Sequence, residues 1–176
     1  DGMQFSADPE SGKVFPLRME NSYQSVHRVL REMQGRTFRN TDTGIEAKLS
    51  NTGVNKLLSN KARAKSAANG YTDAQHLQAA ANVDRLFENS VLLEDRADRN
   101  NDPNIASIKR FAAPFYTNGD FAEALITLKE SVQNGARIYS LELNEIRKPS
   151  SPDKWGLENQ ANTQALDGYN KLQQKI

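Results

Sequence analysis

The sequence predicts an α+β fold, with N-terminal helices packed on an antiparallel sheet made of a hairpin and a three-stranded C-terminal meander. Three observations carry this reading. Apolar residues recur at three- and four-residue spacing through the first half of the chain. The period changes to two after residue 104. The Asn118-Gly119 and Asn134-Gly135 pairs then separate three alternating runs. Asn-Gly is the strongest short hairpin signal, because both central residues of the turn take positive φ.

Residues 1–20 are polar and turn-rich, with Pro9, Gly12 and Pro16, and read as a leader or linker. Residues 21–148 read as one α+β domain. Its first helix opens at Ser22 as N-cap, carries Tyr23, Val26, Val29, Leu30 and Met33 at three- and four-residue spacing, and stops at Gly35. The stretch "RTFRNTDTGIEAKLS" holds two short runs about "NTDTG", a hairpin signal. A helix is expected from about Thr52 to Asn69, ended by Asn69-Gly70. Another opens at Thr72, with Gln75 three residues on as a capping box, and buries Leu77, Ala80, Val83, Leu86 and Phe87. Residues 94–104, "EDRADRNNDPN", read as a charged loop. Asp95, Asp98 and Asp102 are spaced somewhat like a calcium loop, but its glycine and distal glutamate are missing. Pro149 and Pro152 end the meander, and residues 149–176 form a polar tail with Trp155 and a weak helical pattern.

Composition narrows the function. A chain of 176 residues builds one core. The net charge of +1 gives no global field toward nucleic acid or membrane, so an anion site must come from local clustering. With no cysteine, disulfides, thiolate catalysis and Cys-ligated zinc are excluded. There is no apolar run of bilayer length and no N-terminal secretion pattern. Asp1 is not an initiator residue, so a fragment or processed product is expected.

Two-residue turns fix strand register. Tyr116 should face Phe121, Phe111 should face Ile126, and Leu128 should face Leu141. One face then gathers Phe111, Ala113, Phe115, Ala122, Ala124, Ile126, Leu128, Leu141 and Leu143 as the core, with Lys109, Glu130 and Tyr139 at its end. The other gathers Arg110, Glu123, Thr127, Lys129, Ser140, Glu142 and Asn144. Arg110, Thr127 and Glu142 should form one row across three strands. That row is either a cross-strand ion pair with a hydroxyl between, or a phosphate-binding surface. His76 precedes Ala80, Val83 and Phe87 at helical spacing. It is either a core-edge histidine bonded to backbone or a general acid/base. His27 keeps company with Tyr23, Leu30 and Arg31 on the first helix. Lys61 and Arg63 read as a solvated helix face, and Lys65 suits a helix C-terminus. Tyr139 beside Glu130 is a buried hydroxyl with an acceptor, a proton donor, or a stacking partner for a base.

The segments "GRTFRNTDTGIEAKLSNTGVNKLLSNKARAKS", "HLQAAANVDRLFENS", "RNNDPNIASIKRFAAPF" and "LITLKESVQNGARIYSLELNEI" resemble a large polyvalent-protein-associated domain. Such domains occur in giant multidomain proteins of phages, prophages and conjugative elements. The resemblance covers about residues 35 to 148. It points to Lys65-Ser66, His76, Asp102 to Asn104, Thr127 with Lys129 and Glu130, and Tyr139. The position of Lys109 is often histidine in such domains, and lysine departs from that pattern. Helices followed by a meander also resemble the barnase/EndoU/colicin/RelE-like nucleases.

The resemblance implies a metal-independent ribonuclease-like effector or toxin domain of a polyvalent phage or mobile-element protein, cleaving RNA through its 2′-OH. His76 would be the general acid or base. Lys65, Ser66, Thr127 and Tyr139 would complete the catalytic set, and Arg110, Lys129 and Lys109 would hold phosphate. No metal or other cofactor is expected. The partners implied are tRNA or mRNA and a cognate immunity protein, in the cytoplasm of a host or target cell after delivery. The alternative is a non-catalytic nucleic-acid- or protein-binding module of the same parent protein.

Overall fold

The computed structural model describes residues 5–7, 14–97, 103, 105–117 and 120–149. The elements run β1 (Phe5–Ala7), β2 (Val14–Pro16), α1 (Tyr23–Met33), β3 (Thr37–Arg39), β4 (Glu46–Lys48), α2 (Asn51–Leu57), α3 (Asn60–Ala68), α4 (Asp73–Ala81), α5 (Val83–Glu88), β5 (Val91–Arg96), β6 (Ile105–Thr117), β7 (Asp120–Gln133) and β8 (Ala136–Arg147). This is the expected α+β layout. The sheet order is β2-β1-β6-β7-β8-β4-β3, with β5 also paired to β6.

The meander registers as the turns dictate. Tyr116 pairs with Phe121 and Phe111 with Ile126 across β6 and β7, and Leu128 pairs with Leu141 across β7 and β8. Asn134 (φ 52°) and Gly135 (φ 78°) make the second turn as predicted. The Asn118-Gly119 turn falls outside the described residues, but Thr117 pairs with Asp120 on either side of it. Phe111, Ala113, Phe115, Ala122, Ala124, Ile126, Leu128, Leu141 and Leu143 are all buried in the core under the helices, joined by Ile146. Alternation alone would turn Ile146 outward. A β-bulge turns it inward: Ile126 pairs with Leu143 and Leu125 with Glu145, so Asn144 is an extra residue in β8.

The sheet is mixed, not wholly antiparallel. The β3–β4 hairpin joins the meander through β4, which runs parallel to β8 and bridges it at Lys48 and Ser140. Nearly ninety residues separate these two strands. A connection that long leaves strand direction free, and no turn residue encodes it. Residues 1–20 contribute β1, which pairs with β6 at Phe5↔Tyr116 and Ser6↔Phe115, and β2 outside it. Residues 94–96 of the expected loop belong to β5, while most of 98–104 and the tail from 150 onward fall outside the described residues.

Both long helices predicted between residues 52 and 88 are broken. The first divides at Leu58-Ser59, because Ser59 Oγ accepts the Ala62 N–H and starts a new helix. The second divides at Asn82, which is buried. Its Oδ1 accepts the Arg18 N–H, and its Nδ2 donates to the Arg18 and Gln78 carbonyls. Arg18 adds a two-pronged bond to Asp84, at 2.8 and 2.9 Å, and Asp84 raises its pKa chiefly through that contact. The capping residues were legible: Ser22 caps α1, and Thr72 with Gln75 forms a capping box on α4.

Gly53 sets how closely α2 lies on β8. A Cβ there would stand 2.6 Å from the Leu141 carbonyl oxygen. Gly53→Ala should lower stability by about 1–3 kcal/mol despite alanine's better helix propensity, because backbone must move. Urea denaturation should show a lower midpoint at unchanged slope.

Candidate phosphate-binding groove

The predicted site residues fall into three separate places. Arg110, Thr127, Lys129 and Lys65 line one groove, with Glu142 on its floor. Ser66 and His76 lie inside the fold. Lys109 and Tyr139 take part in a second polar cluster around Glu130.

The groove encloses about 310 Å³ between the α2–α3 corner and the polar face of the sheet. Arg110, Thr127 and Glu142 do form one row: Arg110 pairs with Thr127, and Thr127 with Glu142. Thr127 Oγ1 donates to Asn144 Oδ1, so the bulged residue fixes the hydroxyl. Glu142 Oε1 lies 2.9 Å from Lys56 Nζ and 3.6 Å from Lys129 Nζ. Lys56 thus reaches from the end of α2 onto β8. Among the described residues, the lining carries six cations (Lys56, Lys61, Lys65, Arg96, Arg110, Lys129) against the one carboxylate of Glu142. That is the local clustering a net charge of +1 cannot reveal. Arg96 and Arg110 flank Glu94, with Nε atoms 3.2 and 3.8 Å from its oxygens, yet both Nε atoms are buried without a hydrogen-bond partner.

The two lysines at Glu142 differ. Lys56 holds its proton more tightly than an ordinary lysine, through its interaction with the neighbouring Lys129 and its hydrogen bond to Glu142. Lys129 holds its proton less tightly, because burial disfavours its charge and Lys56 stands beside it. One carboxylate serves both ammonium groups, and Lys56, the more exposed, takes the closer place.

His76 is fully buried. Its Nε2–H donates to the Leu57 carbonyl at 2.9 Å, and its Nδ1 accepts the Ser66 hydroxyl at 2.7 Å. Ser66 Oγ in turn accepts the Ile146 N–H at 2.9 Å. Both His76 ring nitrogens and the Ser66 hydroxyl are used within the fold, which ties α2, α3 and α4 to β8. The lining of the groove includes neither residue. Arg63 turns away to Asp73, bonded at 2.6 and 2.7 Å, and lies over the Tyr23 ring; Tyr23 stacks on His27.

In the second cluster Glu130 accepts from Ser107 at 2.6 Å and from Tyr139 at 3.3 Å, and pairs with the Arg137 guanidinium at 3.1 Å. These hold its carboxyl below the usual range, the Ser107 bond contributing most. Lys109 Nζ bonds Asp95 at 2.8 Å and Ser107 at 3.2 Å. Lys109 and Arg110 are adjacent in β6 and so leave the sheet on opposite faces.

Lys56, Arg96 and Glu94 escaped the sequence reading. A continuous helix through Ser59 hid the corner that turns Lys56 toward β8, and β5 was read as loop. The serine three residues before Ala62 was the available signal.

The family model described as Large polyvalent protein-associated domain 3 matches residues 18–139. The chain belongs to that family. The match takes in every described helix and ends within β8, at Tyr139, so the matched region includes most of the groove lining but not Glu142, Leu143 or Asn144. No curated protein and no solved structure matches the chain. In this polyvalent-protein-associated domain, the described residues contain no group of three His, Asp or Glu side chains placed to hold a metal ion. No described helix is long and apolar enough to cross a membrane.

Burial holds the His76 pKa below its ordinary value, so the unfolded chain binds that proton more readily than the folded one. The contribution is complete above about pH 6.5 and is lost as pH falls toward the depressed folded value. Urea midpoints should therefore drop between about pH 6.5 and 5, above the carboxylate range. His76→Leu should be less stable at pH 7 and lose most of that slope. An unchanged slope in the variant would refute the assignment.

Proposed function

We propose that this domain binds an RNA strand in the groove and cleaves it without a metal, by attack of the 2′-oxygen on the adjacent phosphorus. The observation that carries this reading is the Glu142 carboxylate shared by Lys56 and Lys129 in a groove lined by six cations. Such cleavage needs a base, charge neutralisation at the phosphorane and an acid for the leaving oxygen. When a phosphate draws the two ammonium groups, Glu142 is released to take the 2′-OH proton. The O2′–P bond forms and the P–O5′ bond breaks. Lys129, with its weakened hold on a proton, protonates the departing 5′-oxygen. The products are a 2′,3′-cyclic phosphate and a 5′-hydroxyl. Lys56, Lys65 and Arg110 neutralise the phosphorane, and Thr127, keyed to Asn144, orients it.

Ser66 and His76 act on this reading as supports: they hold the α2 and α3 walls against β8. Membership of a polyvalent-protein-associated family supports an effector or toxin module of a phage or mobile-element protein, acting in the cytoplasm of the cell it reaches. An immunity protein would then cover the groove, with carboxylates replacing phosphates. The second reading is an RNA-binding module that does not cleave. The burial of His76 favours it, since the groove then lacks a histidine.

Purified chain should be incubated with total RNA in the presence of a chelator. Cleavage is expected to leave cyclic phosphate ends, and to slow by about 10²–10⁴-fold in Glu142→Gln and Lys129→Ala. Intact RNA that is nevertheless retarded on a gel, with retardation lost at high salt and in Lys129→Ala, selects the binding module. The absence of both cleavage and retardation overturns both readings.

A further inference from the structure

A second cleft lies beyond the groove, along the same strand. Since β4 and β8 bridge at Lys48 and Ser140 alone, they part on the N-terminal side of β8. The gap encloses about 570 Å³, within the roughly 300–1,000 Å³ range of small-molecule sites. Tyr139 and Arg137 line it from β8, Lys48 and Thr37 from the hairpin strands, and Thr43 and Ile45 from the hairpin turn.

This set differs from the groove in kind. Among the described residues the groove lining has cations and no aromatic ring, so it suits a backbone and offers a base nothing to stack on. The cleft adds the missing parts: a ring face, two cations and two hydroxyls, with the one carboxylate of Glu46, which lies 3.9 Å from Arg39, among its described lining. The Tyr139 ring is held in place, because its hydroxyl donates to Glu130, itself fixed by Ser107 and Arg137. A fixed ring stacks with little further loss of conformational entropy. Tyr139 is three residues from Glu142 along β8, roughly 10 Å at strand rise, and the two side chains leave the sheet on opposite faces. A nucleic-acid strand joining groove and cleft therefore passes around β8 where it parts from β4.

We propose that the cleft between β4 and β8 is a nucleotide subsite, in which a base stacks on Tyr139 while Lys48 and Arg137 meet its phosphate and the threonine hydroxyls meet its polar edge. The inference rests on the groove reading for its ligand, which is a nucleotide of the same RNA strand. The cleft supplies contact with a base, and the groove supplies the charge.

The test is binding of labelled single-stranded RNA of two, four and eight nucleotides, and of free mononucleotides, to the intact chain. Cleavage is blocked throughout by a 2′-O-methyl backbone. The Ile45 methyl signal is followed by NMR alongside affinity. Tyr139→Leu should weaken the eight-nucleotide strand about tenfold. Tyr139→Phe, which keeps the ring, should retain most of the affinity and guards against a folding defect. The longer strands should move the Ile45 signal in wild type. Wild-type affinity in Tyr139→Leu together with an Ile45 signal unmoved by any RNA or mononucleotide overturns the subsite; if Lys129→Ala still abolishes binding, the groove reading stands without it. Mononucleotides that move Ile45 while no strand binds support the cleft and overturn the groove.

Discussion

The buried chain from the Ile146 amide through Ser66 and His76 to the Leu57 carbonyl is the constraint on which the groove depends. Helix α3 has a weak apolar stripe, with Ala62 and Ser66 its buried side chains, so hydrophobic packing alone grips it poorly. Hydrogen bonds in a dry interior fix direction as well as distance, and a buried polar atom left unmatched costs about 1–3 kcal/mol. Ser66 and His76 therefore set where α3 lies against β8, and with it where Lys61 and Lys65 stand relative to Arg110 and Lys129. The lysines of the groove inherit their positions from a histidine buried in the interior.

Charge is arranged to match. Like charges in the groove lining repel one another, and the Glu142 carboxylate offsets part of that repulsion while drawing Lys56 and Lys129 together. Glu94 does the same for Arg96 and Arg110. The Lys109 cluster is different in character. Lys109 meets Asp95 and Glu130, whereas Arg137 pairs with Glu130 but keeps a largely exposed side chain on the β4–β8 cleft.

Much of this was legible because it follows from local chemistry. The Asn-Gly turns set the register, and register alone assigned nine core side chains and the Arg110–Thr127–Glu142 row. Caps at Ser22 and Thr72 were equally plain. What failed had long-range causes. The helix break at Asn82 arises because its side chain serves the backbone of Arg18, sixty-four residues earlier. The parallel β4–β8 bridge has no signature in either strand. Alternation brought Arg110, Thr127 and Lys129 to one groove, whereas no pattern in the sequence shows that Ser66 and His76 face each other in the interior. Lys109 was grouped with phosphate ligands although its own register had already put it on the opposite face from Arg110.

The bulge at Asn144 has a consequence for reading related sequences. Upstream of it, odd-numbered positions of β8 face the helices; downstream, even-numbered ones do. Any relative matched to this strand by inward–outward rhythm alone will drift out of step at that point, and its counterparts of Glu145 and Ile146 will be exchanged. Placing the irregularity first, beside the threonine that fastens it, restores the phase.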